Sequence, residues 1–240
     1  MDDCTLTDVT SQWATCAVEG PRAAEALSAA SGVALDSLPL FAHAPAQIAG
    51  AACRVLRRSH FDSLAAEIVA PREAIAGVWQ ELLKAVAAAG GGPVGWDAVN
   101  ALRIEAGGRW FGYDFDDSVI PQEAGIETTH ISYTKGCYTG QEIVERVRSR
   151  GRLNRWLSLL EFSGGLVPGL GTKLLADGKD WGHVTSAAFS PDRKATIGFG
   201  YLRKEHNAVG DVLQCAGGTA TVLESPANPP KNAYQAAPCG

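Results

Sequence analysis

Between residues 156 and 223 the chain is cut into six short strand-like runs, 156–162, 172–176, 182–189, 195–202, 212–215 and 219–223. Turn residues stand between them, among them Asp177-Gly178 and Ser190-Pro191-Asp192, where aspartate, glycine and proline favour tight reversals. Runs this short, spaced this regularly, bury an apolar face only by curling together, which predicts a small antiparallel barrel or sandwich. Upstream the texture changes to a mixture of strands and helices. Residues 13–18, 48–56 and 64–69 read as strands, and a helix follows Gly20-Pro21 to about Ser31, where Gly32 ends it. A second helix opens at Pro71-Arg72-Glu73 and sets Ile75, Val78, Trp79, Leu82, Leu83 and Val86 on one face. Gly90-Gly91-Gly92-Pro93 stops it, and a third spans 96–106. The class is therefore α+β. At 240 residues, 46% hydrophobic, the chain can bury a sizeable core in one large domain or two modest ones.

Several functions are disfavoured early. The most apolar stretch, 85–92, is broken by glycines and far short of the roughly 18 residues a membrane span needs. Met1-Asp2-Asp3-Cys4 has neither the basic nor the apolar part of an export signal, so the expectation is a soluble, cytoplasmic chain. Six cysteines lie far apart with no C-x-x-C pair, and the five histidines show no metal spacing. Most of the thiols therefore read as small buried hydrophobes. The net charge of −5 opposes bulk nucleic-acid binding, but it is unevenly spread. Residues 135–155 hold six basic residues against two acidic ones, a surplus of +4 that leaves −9 to the remainder. Direct nucleic-acid contact through Arg146, Arg150 and Arg152 is a function class this patch allows, against the acidic balance of the whole. Arg146 and Arg150 share one helical face and Arg148 and Arg152 another, so no single stripe unites them.

The most informative segment is Lys135-Gly136-Cys137-Tyr138-Thr139-Gly140-Gln141-Glu142. The helical pattern that follows makes Thr139 a candidate N-cap, with Glu142 completing a capping box. Cys137 then stands just ahead of a helix N-terminus and two residues from Lys135, a setting in which dipole and ammonium both favour thiolate. It is the candidate chemical residue. His130, seven residues earlier, is a candidate neighbour.

The same segment resembles the signature of the YgfZ family of folate-binding-type proteins, in the glycine-cleavage T-protein superfamily. The resemblance extends over most of residues 8–215. Asp8-Val9-Thr10 and Ala17-Val18-Glu19-Gly20-Pro21 are similar to the entry into the second part of that fold. Leu102-Arg103-Ile104-Glu105-Ala106-Gly107, Gly112-Tyr113-Asp114 and Pro121-Gln122-Glu123-Ala124-Gly125 resemble its central block. Gly182-His183-Val184-Thr185-Ser186, Ser190-Pro191 and 197–202 are similar to its barrel.

The resemblance implies a two-layer α/β sandwich of the aminomethyltransferase folate-binding type over 1–150 and a C-terminal antiparallel β-barrel over 151–224; the four prolines and low apolar content of 225–240 predict a flexible tail. It implies tetrahydrofolate as cofactor, with Glu105 gripping the pterin through two parallel hydrogen bonds. Arg103, Tyr113, Lys135, Tyr138 and Gln141 are the further candidate cofactor-binding residues. It implies a role in maturing or repairing iron–sulfur enzymes, including one that thiolates tRNA, with iron–sulfur assembly or client proteins as partners and Cys137 as the chemical residue. A lone thiolate cannot hold a cluster that takes four ligands, so transient ligation, redox exchange or contact with a carrier is its physically sensible work. On that reading the protein is an accessory factor. The second reading is a tetrahydrofolate-dependent aminomethyltransferase like the T-proteins, which carry a different sequence where this chain has the cysteine motif. Two departures stand out. The chain starts almost at the superfamily's Asp-x-Ser/Thr region, so the expectation is a larger fold without its front domain segment. Arg57-Arg58-Ser59-His60-Phe61-Asp62 also lacks the glycines of the T-protein segment it replaces.

Overall fold

The computed structural model describes residues 4–61, 63–150 and 153–224. They form two compact units, one reaching Val94 and one starting at Gly95. This division falls just ahead of the third helix. Residues 225–240, expected as a tail, lie outside the described residues, as does Arg152.

In the first unit, β1 (Trp13–Glu19), β2 (His43–Ile48), β3 (Ala51–Arg57) and β4 (Ala65–Pro71) form an antiparallel sheet in the order β1-β4-β3-β2. Helices α1 (Ala23–Ser31) and α2 (Ile75–Ala88) supply its apolar cover. Leu27, Leu35, Ile48, Val55, Ile68 and Val78 are fully buried in the resulting core, each stabilising it by about 1.5–3 kcal/mol. The glycines end the helices as their positions suggest. Gly32 takes φ 72° and its N–H returns to Ser28 O. After α2, Gly90 and Gly91 donate to Ala87 O and Val86 O, both at 2.9 Å, in a Schellman arrangement.

The strand expected over 48–56 is a hairpin instead: Ile48 closes β2, and β3 begins only at Ala51. The Ala49–Gly50 turn between them has φ 51° and 78°, the left-handed pair of a type I′ connection. Pro45 sits in β2 at the edge of the sheet, where the N–H it lacks is not required.

In the second unit, α3 (Trp96–Glu105) is followed by a long loop, the short α4 (Glu127–His130) and α5 (Gln141–Arg150). Then come β5 (Arg155–Phe162), β6 (Lys173–Ala176), β7 (Lys179–Ser190), β8 (Ala195–Arg203), β9 (Val212–Cys215) and β10 (Gly218–Leu223). They close as β10-β5-β8-β7-β6-β9, so the expected barrel-or-sandwich resolves to a barrel. Closure leaves no free edge. Alternation along the strands makes two cores from one sheet. Leu160, Leu174, Val184, Leu202 and Leu213 fill the inside. Leu159, Ile197, Phe199 and Tyr201 face outward and pack with Ala101 and Ile104 of α3.

One irregularity positions the site. The β7–β8 register slips between Val184 and Ser186, a β-bulge. Gly198 of β8 gives it room, since a Cβ there would lie 2.2 Å from Ser186 O. Successive strand residues normally point to opposite faces; the bulge lets Thr185 and Ser186 both turn toward the loop after α3.

Candidate functional site

The seven residues picked out by the sequence separate into two sets within the second unit. Glu105, Arg103 and Tyr113 belong to α3 and the loop behind it. Lys135, Cys137, Tyr138 and Gln141 surround the start of α5. Among the described residues, no hydrogen bond or ion pair joins the two sets.

Glu105 is the last residue of α3, where the helix dipole opposes a carboxylate. Its side chain is held from the barrel. Ser190, fully buried at the end of β7, donates its hydroxyl to Glu105 Oε1. Ser190 Oγ in turn accepts Arg193 N–H at 3.0 Å. Glu105 remains half-buried.

Arg103, two residues earlier, is fully buried. It pairs with the buried Asp114 through Nη1 and donates to Asn100 Oδ1 at 2.9 Å and Gly108 O at 3.1 Å. Its guanidinium lies 5.1 Å from the Trp110 ring centre and 5.7 Å from that of Phe199. Burial pushes its pKa down, opposed by Asp114, and a guanidinium so placed stays charged. Asp114 accepts in turn from Thr185 Oγ1 at 3.0 Å, Ser186 Oγ at 2.6 Å and Trp110 N–H at 3.0 Å. This cluster ties α3, its loop and the bulged strand together. Any influence of Arg103 on a ligand therefore passes through the loop it holds. Tyr113 is exposed and, with Trp96, Asn100 and Ser186, lines a shallow cleft of about 290 Å³.

Around α5, Cys137 is exposed. Lys135 Nζ lies 4.7 Å from the centre of the Tyr138 ring, and Gln141 Oε1 accepts Tyr138 N–H at 3.2 Å. This bond folds the loop back onto the first residue of α5. The expected Thr139–Glu142 capping box does not form among the described residues, because the helix begins one residue later: Val144 N–H returns to Gly140 O, which puts Gly140 rather than Thr139 at the N-cap. The hydroxyl of Tyr138 is buried and has no hydrogen-bond partner among the described residues. Behind the loop, Gln122 Nε2 donates to Val144 O at 3.3 Å, and the Arg148 guanidinium stacks 4.1 Å from the Tyr133 ring centre. Tyr133 donates to Glu127, and burial with that bond pushes its phenol up to about 12. His130 meets Thr129 Oγ1 at 2.6 Å and the Phe115 ring edge-on.

The other thiols differ from Cys137. Cys53 is buried, and Cys16 and Cys215 are half-buried. Burial pushes the Cys16 thiol up to about 11 and raises Cys53 and Cys215. Cys4 is the other exposed one among the described residues, and Cys239 lies outside them. No group of three or more His, Cys, Asp or Glu among the described residues is arranged to hold a metal. In the basic run, Arg148 also meets Glu145 at 3.3 Å and Arg155 meets Glu123 at 2.9 Å, while Arg146 is exposed. No helix among them is long and apolar enough to cross a membrane.

Reading residues alone assigned no role to Asp114, Thr185, Ser186 or Ser190. The glycines of Gly198-Phe199-Gly200 inside a strand were the available signal, because interior strand glycine marks a bulge or a close approach. Glu19 was missed too. Its carboxylate accepts from Ser59 Oγ, His60 N–H, Phe61 N–H and Ser63 Oγ at 2.7–3.0 Å. One side chain thus gathers Ser59, His60, Phe61 and Ser63, in the region that lacks the expected glycines.

The model of the GCVT N-terminal domain matches residues 1–133, and that of the glycine cleavage T-protein C-terminal barrel domain matches 155–226. An aminomethyltransferase of Phocaeicola vulgatus is 30% identical over 207 residues, 85% of this chain and 57% of that protein. The aminomethyltransferase of Caldanaerobacter subterraneus subsp. tengcongensis is 29% identical over 87% of this chain and 56% of its own. The chain thus spans about half the length of the curated relatives it matches. The crystal structure of glycine cleavage system aminomethyltransferase T from Bartonella henselae superposes with a TM-score of 0.52 at 18% identity. It covers 89% of this chain and 83% of its own, a likeness of fold.

Proposed function

This chain belongs to the GCVT N-terminal domain family of the glycine-cleavage T-protein superfamily, and from that membership we propose that it binds a tetrahydrofolate through Glu105 and uses Cys137 as the thiol of an iron–sulfur assembly or repair factor. The fit of the folate rests on the Glu105 carboxylate. It is half-buried, fixed by Ser190, and still carries lone pairs for two parallel N–H groups such as those on a 2-amino-pyrimidinone edge. Tetrahydrofolate supplies, when bound, nitrogen atoms that accept a one-carbon unit. Arg103 and Asp114 brace the helix that presents Glu105.

The observation that carries the thiol role is the exposure of Cys137 in a loop whose tyrosine, lysine and glutamine fold onto one another around it. An exposed thiol ahead of a helix N-terminus is open to a partner's cluster or sulfur, with the cluster as cargo rather than resident group. Iron–sulfur clients, tRNA-modifying enzymes among them, are the partners this reading names. The names of the relatives favour a second reading, a tetrahydrofolate-dependent aminomethyltransferase.

Complementation separates them. In a strain lacking its native homologue, Cys137→Ser is expected to fail and Cys16→Ser to succeed; full complementation by Cys137→Ser ends the thiol role. Tetrahydrofolate-dependent methylene transfer with a lipoyl partner protein, retained in Cys137→Ser, would establish the second reading instead. Tetrahydrofolate binding itself is expected to vanish in Glu105→Ala by calorimetry.

A further inference from the structure

We infer that Ser190 is a positioning residue for ligand recognition by Glu105, an inference that rests on the folate reading above. A hydroxyl has one proton and two lone pairs. At Ser190 one lone pair is occupied, because Oγ accepts Arg193 N–H at 3.0 Å across the Pro191–Asp192 turn. The proton is left to point elsewhere, and it goes to Glu105 Oε1. An ionised carboxylate only accepts, so the polarity of this chain of two bonds is fixed: amide to hydroxyl, hydroxyl to carboxylate.

The arrangement has a steric counterpart. Ser190 is fully buried and ends β7, a barrel strand, so its hydroxyl is set by a rigid element rather than by a loop. Glu105 terminates a helix at the end where a carboxylate is disfavoured and has several rotatable bonds. Without the barrel contact it would swing freely in its half-buried place. With it, the plane of the carboxylate is fixed before a ligand arrives, and the ordering cost of binding falls. A protein side chain thereby selects which face of Glu105 meets the 2-amino edge of a pterin.

Calorimetric titration with 5-formyltetrahydrofolate tests this. Ser190→Ala is expected to weaken binding about 10-fold, the size of one hydrogen bond to a charged group. Ser190→Thr, which keeps the hydroxyl, is expected to restore it. In a Glu105→Gln background the Ser190→Ala penalty is expected to shrink, since the amide still accepts the hydroxyl but no longer offers the ligand a charged pair of oxygens to be oriented. A 2-desamino analogue should likewise be insensitive to Ser190→Ala, a result that general loosening of the turn would not produce. If the unaltered protein binds no folate, the folate reading falls and this inference with it. If it binds and Ser190→Ala binds within twofold, only the positioning role falls. A penalty that persists undiminished beside Glu105→Gln, without rescue by threonine, makes Ser190 a fold residue and overturns the inference.

Discussion

Arg103 and Asp114 are almost wholly withdrawn from solvent and hold each other, two barrel hydroxyls and two stretches of backbone. Lys135, Gly136, Cys137 and Thr139 are all exposed, in a loop of the same unit. The first cluster is explained by packing: remove a member and a buried charge loses its partner. The second is not, since nothing in the core requires a cysteine, a lysine or a threonine at those positions. A specific pattern of exposed side chains reports recognition or chemistry rather than folding, and for this reason the weight of the functional proposal rests on the loop.

The largest expected effect breaks the cluster. Arg103→Ala takes from the buried Asp114 the guanidinium it is paired with and should destabilise the second unit by about 3–5 kcal/mol. Cys137→Ser should change stability by no more than about 0.5 kcal/mol. Urea denaturation followed by tryptophan fluorescence reads both, and comparable losses would erase the distinction. A smaller step removes one hydroxyl. Thr185→Val strips a donor from Asp114 and should cost about 1–3 kcal/mol in the same measurement.

Thiol chemistry sharpens the contrast from the other side. Cys16, pushed to about 11, has only about one thiolate per thousand molecules at pH 8. Iodoacetamide followed by peptide mass spectrometry should mark Cys137 and Cys4 at least 100-fold faster than Cys16 or Cys53. The raised pKa also has a sign for stability. Below the ordinary thiol range the folded and unfolded chains both keep the Cys16 proton; as pH rises toward 11 the unfolded chain loses it first, so stability falls. Tyr133, at about 12, acts in the same direction above the ordinary tyrosine range. Equal labelling of Cys16 and Cys137 would mean that the sheet of the first unit opens freely.

The barrel was legible because its alternation and turns are local: all six expected runs are strands of it. The β2–β3 hairpin was not, since an alanine-rich edge strand with a proline carries little β-propensity and Ala49-Gly50 is a weak turn signal. In the site, Glu105 and Cys137 were visible through short motifs. Asp114, Thr185, Ser186 and Ser190 were not, because their bonds join residues 71 to 85 positions apart and depend on a bulge no periodicity announces. Long-range polar partnership is a property of the fold, and only its glycines leave a trace in the sequence.

The smallest effect has the opposite sign from the others and therefore probes the comparison most directly. The hydroxyl of Tyr138 is buried without a partner among the described residues, so it keeps the desolvation cost that a hydrogen bond would have offset. Tyr138→Phe deletes that oxygen while retaining the ring under Lys135 and the backbone bond to Gln141. Stability should stay level or rise by up to about 1 kcal/mol, where loss of the Thr185 hydroxyl lowers it. Calorimetric melting of the two variants side by side decides the matter. Should Tyr138→Phe instead cost as much as Thr185→Val, the loop hydroxyl is bonded within the folded chain and the loop is built like the cluster. If stability holds and complementation fails, the lone hydroxyl serves whatever Cys137 meets.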